Sequence, residues 1–240
     1  MKQRLDHVVV ARKLVPTRSQ AESYIRMGKV TVDGKVATKP GTLVAADADI
    51  KLTATEQYVS RAGLKLASVS KALGLDFRDK AVLDVGSSTG GFTDYALQHG
   101  ARKVIAVEVG TNQLHPSLHG HPKIELHGKT DIRDIQHLTD LPDLVVIDVS
   151  FISLRDVLPT VARLSSPQTE VVAMVKPQFE ATESSLKHKG VIKNDAMRRQ
   201  ILQDFESWVK GLYVIQNKAD SEVTGEKGNK ERFYVLKKVR

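Results

Sequence analysis

The chain has 240 residues, with 36 lysines and arginines against 28 acids, a formal charge of +8, and no cysteine. Its 41% hydrophobic and 27% charged residues are ordinary for a globular protein, and the length allows one full-sized domain plus a small one. The missing cysteines exclude disulfides, thiolate zinc sites and cysteine nucleophiles. The charged start MKQRLDHVVVARKL is no secretory signal, and no apolar run approaches membrane-helix length. A soluble cytoplasmic protein with no membrane segment and no metal site is expected.

The charge is uneven. Residues 1–55 hold ten basic and five acidic side chains, and the longer remainder is close to neutral. A small basic module on a near-neutral body suggests a polyanion partner, because phosphate contacts release counterions.

Leu5, Val8, Val9 and Leu14 predict a helix over 5–15 that Pro16 ends. Thr17 with Gln20 forms a capping-box pattern for a second helix, with Ala21, Tyr24 and Ile25 as its apolar face and Gly28 as a left-handed cap. Val30 and Val32, the turn Asp33-Gly34 and Val36 predict a hairpin. Pro40-Gly41 marks a further turn, and Ile50 and Leu52 a closing strand. Residues 1–53 therefore form a small α+β domain, 54–59 a linker, and 60–240 a second domain that opens with a helix from about Ser60 to Leu73.

From there short apolar runs alternate with amphipathic stretches: AVLDV (81–85), KVIAVEV (103–109), LVVIDV (144–149), VVAMV (171–175), LYVIQ (212–216) and RFYVLKKV (232–239). This predicts a mostly parallel α/β sheet covered on both faces, with an antiparallel hairpin at one edge.

The most informative motif is Asp84-Val85-Gly86-Ser87-Ser88-Thr89-Gly90-Gly91-Phe92, between the first strand of that sheet and a helix. In doubly wound sheets the ligand crevice lies there, and glycines let the backbone approach a ligand. The loop lacks the Lys-Ser/Thr pair of nucleotide hydrolases and is not the dinucleotide GxGxxG. A carboxylate at Asp84 would repel a phosphate, but it can engage the ammonium of S-adenosylmethionine through ordered water. Glu108, ending the next strand, can accept both ribose hydroxyls, and Asp131 can bond an adenine amino group.

Among methyl acceptors, pyrimidine carbons usually need a cysteine, and exocyclic amines a loop unlike Asp148-Val149-Ser150-Phe151. A ribose hydroxyl needs a base. Lys176, ending a buried strand before Pro177, suits that role if its amine is held neutral. Lys65 can supply a second cation, Asp148 can hold the lysines, and Glu231 can complete the network.

These residues resemble a known family. The ordered set Lys65, Asp148, Lys176 and Glu231 is similar to the Lys-Asp-Lys-Glu tetrad of the FtsJ-like ribose methyltransferases, over residues 60–240. Residues 3–52 resemble the S4 RNA-binding domain through RLD (4–6), TRSQAESYI (17–25), GKVTVDGK (28–35) and TKPG (38–41). Together with YVSRAGLKL (58–66), DVGSSTGGFTD (84–94), VEVGTNQL (107–114), DVSFISL (148–154), KPQFE (176–180) and GNKERF (228–233), the chain resembles the TlyA, or hemolysin A, family. The resemblance implies a Rossmann-like class I methyltransferase domain with a seven-stranded, mostly parallel sheet. It implies 2'-O-methylation of cytidine in ribosomal RNA, with S-adenosylmethionine as cofactor and Lys176 as base. Members shorter at both ends act on large-subunit RNA only, and this chain, starting at the S4 helix and stopping at the last strand, looks like that kind. Glu108 stands where aspartate is usual.

Arg4, Lys13, Arg18, Arg26, Lys29 and Lys35 are the expected phosphate ligands on the ribosomal RNA or subunit. Two rival readings are a membrane-active cytolysin, suggested by the family's alternative name, and a non-catalytic RNA-binding assembly factor. The intact glycine loop and tetrad oppose the second.

Overall fold

The computed structural model describes residues 2–181, 190–192, 194–225 and 227–239. The N-terminal domain comprises β1 (Gln3–Arg4), α1 (Leu5–Ala11), α2 (Arg18–Arg26), β2 (Val30–Val32), β3 (Lys35–Ala37), β4 (Leu43–Val44) and β5 (Ile50–Leu52). β2 lies between β3 and β5, antiparallel to both, and β1 pairs with β4.

Local chemistry explains these elements. The Thr17 hydroxyl accepts the Gln20 N–H and caps α2. Gly28 follows at φ +67, and Asp33 and Gly34 turn the β2–β3 hairpin at φ +50 and +76, as a two-residue turn matched to strand twist requires. The first helix is shorter than its apolar spacing predicts. It ends at Ala11, just before Lys13 turns left-handed at φ +58, and the Arg12 side chain donates to the Ala46 and Ala48 carbonyls.

The second domain runs α3 (Arg61–Leu73), β6 (Ala81–Val85), α4 (Gly91–Gln98), β7 (Lys103–Glu108), β8 (Ile124–Gly128), β9 (Leu144–Ile147), α5 (Leu154–Leu164), β10 (Glu170–Val175), α6 (Pro177–Glu180), α7 (Asp195–Val209), β11 (Tyr213–Asp220) and β12 (Arg232–Lys238). Seven strands form one sheet in the order β11-β12-β10-β9-β6-β7-β8, and β12 is antiparallel to both its neighbours. The edge hairpin is therefore present. β8 is the strand that the apolar runs did not reveal. It sits at the edge with Glu125 and His127 in its short sequence, so burial never demanded a continuous apolar segment.

Successive residues of the central strands enter opposite cores. Val82, Val104, Val146 and Val172 pack with Leu66 and Val69 of α3 and Tyr95 of α4, while Leu83, Ile105, Val145 and Val171 pack with Leu158 of α5 and Phe205 of α7. The first core continues into Leu5, Val9 and Ile25 of the small domain.

Residues 54–59, read as a linker, are anchored on both sides. Gln20 Nε2 donates to the Tyr58 carbonyl at 3.0 Å and the Tyr24 hydroxyl to the Glu56 carbonyl at 3.2 Å. Toward α4, Val59 N donates to Asp94 at 2.8 Å and Gln98 to the Gln57 carbonyl at 3.0 Å, and the buried Tyr58 ring lies 5.3 Å from Tyr95.

Candidate active site

The strand order reverses at β6. From it the chain builds outward through β7 and β8, then returns to place β9 on the other side. The crevice at such a switch point is where ligands bind in open α/β sheets. Here it is framed by the glycine loop after β6 and by Asp148 after β9.

Two cavities open there. The larger, about 360 Å³, is lined by Gly86, Ser88, Glu108, Gln113, Asp131, Asp148 and Phe151, with Val85, Val107 and Ile132 as apolar wall. The smaller, about 130 Å³, is lined by Asp84, Ser87, Thr89, Phe92 and Lys176. Gly86, Ser88, Asp148 and Ser150 belong to both, so the cavities meet at a common wall.

The glycines of the loop have different tasks. Gly86 has φ +82, and a Cβ on it would come to 2.7 Å from the Asp148 carbonyl oxygen. Gly90, at φ +88, faces Leu114 and Leu118. Gly91 lies against α3, where a Cβ would meet Ser60 Oγ at 2.3 Å and Ala62 Cβ at 2.8 Å. Its smallness serves helix packing, which differs from the ligand contact expected of it. Phe92 is buried against Phe233 at 6.1 Å, with an edge on the smaller cavity.

Asp84 is fully buried and accepts from the Thr93 hydroxyl at 2.6 Å through Oδ2. Its Oδ1 has no hydrogen-bond partner among the described residues. Burial pushes this carboxyl up to about 7; the charges of Asp148 and Glu108 act in the same direction and the Thr93 bond opposes them. A buried acid with one oxygen open to a small cavity is suited to a cationic group. Glu108 is clamped by the backbone, its oxygens accepting Ser88 N at 2.8 Å and Gly110 N at 2.7 Å. These bonds orient the longer side chain while each oxygen keeps a lone pair for a diol. Asp131 is on the cavity wall, but both oxygens already serve Arg133, at 3.0 and 2.7 Å, and Oδ1 also accepts Arg133 N. Among the described residues Oδ2 accepts only that one 2.7 Å bond, so it keeps a lone pair on the cavity side for an adenine amine.

The four tetrad residues form two ion pairs. Lys176 Nζ lies 2.6 Å from Asp148 Oδ1 and donates to Ser150 Oγ at 2.7 Å. Lys65 Nζ lies 2.7 Å from Glu231 Oε2. Lys65, Lys176 and Glu231 are buried and Asp148 is nearly so. Neither lysine points into open solvent.

Several participants escaped the sequence reading. Ser150 and Thr93 are hydrogen-bond partners that only the fold reveals. Phe151 is 92% exposed with φ +65, lines the larger cavity, and lies 5.2 Å from Phe179. Glu180 is buried and accepts Ser153 Oγ at 2.6 Å and Leu154 N at 2.7 Å, tying the segment after β10 to the start of α5. A strained, exposed aromatic beside a cavity is a signal visible only in the structure.

Of the expected RNA ligands, Lys13, Arg26, Lys29 and Lys35 are exposed. Arg4 and Arg18 are also exposed but bind inward, to the buried Asp6 at 2.8 and 2.9 Å. RLD (4–6) is therefore an internal ion-pair device as much as a surface one. Among the described residues no three histidines or acids cluster as a metal site, and no helix is long and apolar enough to cross a membrane.

The sequence profile of the FtsJ-like methyltransferases matches residues 58–239, and that of the S4 domain residues 3–50. The 16S/23S rRNA (cytidine-2'-O)-methyltransferase TlyA of Mycobacterium tuberculosis is 35% identical over 98% of this chain and 89% of its own. The 23S rRNA (cytidine-2'-O)-methyltransferase TlyA of Campylobacter jejuni is 40% identical over 75% of this chain and 71% of its own. A solved structure from Streptococcus thermophilus is 34% identical and superposes with a TM-score of 0.73, covering 99% of this chain and 89% of that one. The chain belongs to the FtsJ-like methyltransferase family, as a TlyA-type member that carries an S4 domain at its N-terminus.

Proposed function

We propose that this protein transfers a methyl group from S-adenosylmethionine to the 2'-hydroxyl of a cytidine in ribosomal RNA. The observation that carries this reading is the buried Lys176 amine, held by Asp148 and Ser150 on the wall shared by the two cavities. Of the relatives named above one is a 16S/23S and the other a 23S rRNA (cytidine-2'-O)-methyltransferase, so the large-subunit RNA is the substrate common to both names. Such a substrate puts the site of action in the cytoplasm.

The residues present fit the cofactor. The unpartnered Asp84 Oδ1 suits its ammonium, Glu108 its ribose diol, and Gly86 a close backbone approach. When bound, S-adenosylmethionine supplies an electrophilic methyl group. The chain's own part is to bring the ribose hydroxyl to Lys176, the residue assigned to take up the hydroxyl proton. Asp148 and Ser150 fix the direction of that amine, and Lys65 and Glu231 form a second buried ion pair. The exposed Phe151 offers a face on which a flipped-out base can stack.

The test is radiolabelled methyl transfer to each ribosomal subunit taken from cells lacking the modification, followed by mapping of the mark. Label on a cytidine ribose of the large-subunit RNA is expected. Label on a base, or on neither subunit, sinks the reading.

A further inference from the structure

Between the two domains lies a polar groove of about 300 Å³. One wall is α2, through Glu22, Ser23 and Arg26. The other is Arg61, the first residue of α3, with Thr224 and Lys227 of the loop between β11 and β12. Among the described residues three cations line it against one acid, and Glu22 already lies 3.3 Å from Arg18. Glu226, next to Lys227 in the chain, is outside the described residues.

Arg61 spans the groove. Its Nη2 donates to the Thr224 carbonyl at 2.7 Å and its Nε to Ser23 Oγ at 3.2 Å, so a half-buried guanidinium is fixed at the seam by one bond to each domain. Arg26 and Lys227 reach the same space from opposite sides and are exposed. A guanidinium held in place and two exposed cations converging on a polar cleft are suited to an oxyanion, and a guanidinium matches a phosphate.

We propose that this groove grips a phosphodiester of the RNA substrate, with both domains as ligands at once. The proposal rests on the reading of the protein as an RNA methyltransferase and extends it to where the RNA backbone crosses the domain boundary. Two neighbours connect the groove to the tetrad. Lys65 is one helical turn beyond Arg61 on the same face of α3. Gly225 lines the groove, and a Cβ on it would come within 2.8 Å of Glu231 Oε1. A phosphate drawn to Arg61 and Lys227 therefore settles on the loop that abuts the Lys65–Glu231 pair.

The experiment uses the full chain carrying Arg26→Ala with Lys227→Ala, and Lys210→Ala as a control for an exposed cation away from the groove. Binding to an unmodified 23S rRNA transcript is measured by filter retention across a salt series, and methyl transfer with large subunits. Loss of two phosphate contacts should weaken binding about tenfold at moderate salt. It should flatten the slope of log affinity against log salt by about 2, from roughly 0.9 per contact. The kcat/KM should fall in proportion, with kcat at saturation and cofactor affinity close to wild type. Lys227→Glu alone should weaken RNA binding further than Lys227→Ala. Wild-type affinity and salt slope in the double variant overturn the proposal, and so does an equal loss in Lys210→Ala. A wild-type protein that binds the transcript yet labels no ribosomal RNA would count against the enzymatic reading, while the binding series still decides the groove.

Discussion

Gly86 and Asp148 are in backbone contact across the switch point: a methyl group on the glycine would sit 2.7 Å from the aspartate's carbonyl oxygen. The β6 loop and the β9 loop thus close on one another at the place where both cavities share a wall. Gly86→Ala has to move the backbone that carries Asp148, and φ +82 adds strain of roughly 1–3 kcal/mol. Calorimetry should show cofactor affinity reduced about tenfold or more, and thermal melting should show a lower midpoint. Unchanged cofactor affinity would mean that the contact does not shape the pocket.

Lys176 is the residue proposed to accept the hydroxyl proton, while the residues assigned to cofactor binding are other side chains of the pocket wall. Lys176→Ala should lower kcat by about 100-fold or more, within the usual range for a lost general base. Cofactor affinity should change less than about threefold. Single-turnover assays with large subunits, paired with calorimetry, check both halves. Retained turnover would assign the base to another group.

Asp84 gives a pH dependence with a definite sign. Its folded value, pushed up to about 7 by burial, lies above that of an unfolded aspartate. The native state therefore holds the proton more tightly, and this group's contribution to stability is complete below about pH 4 and is lost as pH rises through about 7. A cationic ligand favours the carboxylate. Cofactor affinity should then rise between about pH 6 and pH 8, with a proton released on binding near pH 6.5. Calorimetry in buffers of different ionisation heats detects that proton, and identical heats would remove Asp84 from the ammonium's surroundings. Asp84→Asn should bind weakly and without the pH trend.

Asp6 behaves oppositely. Burial alone would raise its carboxyl, but Arg4 and Arg18 hydrogen-bond to it and hold it at about 2. Its stabilisation is present above about pH 4 and fades as pH falls toward 2. Asp6→Asn should cost on the order of 2 kcal/mol at neutral pH, since it leaves a damaged buried polar site. Urea unfolding at neutral and acid pH should show the gap shrink on acidification. A constant gap would show that Asp6 acts by shape alone.

Phe151 is 92% exposed, so truncating it should leave stability almost unchanged. If a base stacks on it, Phe151→Ala should lower kcat/KM about tenfold, the scale of one base–aromatic contact. Phe151→Tyr should retain most activity. Full activity in the alanine variant would place the base elsewhere.

The parts of this protein legible in its sequence are those governed by local rules. Thr17, Gly28 and Asp33-Gly34 announce a cap, a helix end and a hairpin because each satisfies a dihedral or hydrogen-bond demand within a few residues. The buried strands β6, β7, β9 and β10 show themselves as apolar runs because both faces of the sheet are covered. The glycine loop and the order of the tetrad carry family and chemistry. Tertiary structure decided the partners. It paired Lys176 with Asp148 and Ser150, and Lys65 with Glu231, residues 166 positions apart in number. It gave Asp131 to Arg133, Gly91 to helix packing, and Arg4 and Arg18 to Asp6. The physical reason is range: caps and strand patterns are local and leave a periodic trace, whereas the direction of a buried charge depends on what the rest of the chain brings within about 3 Å of it.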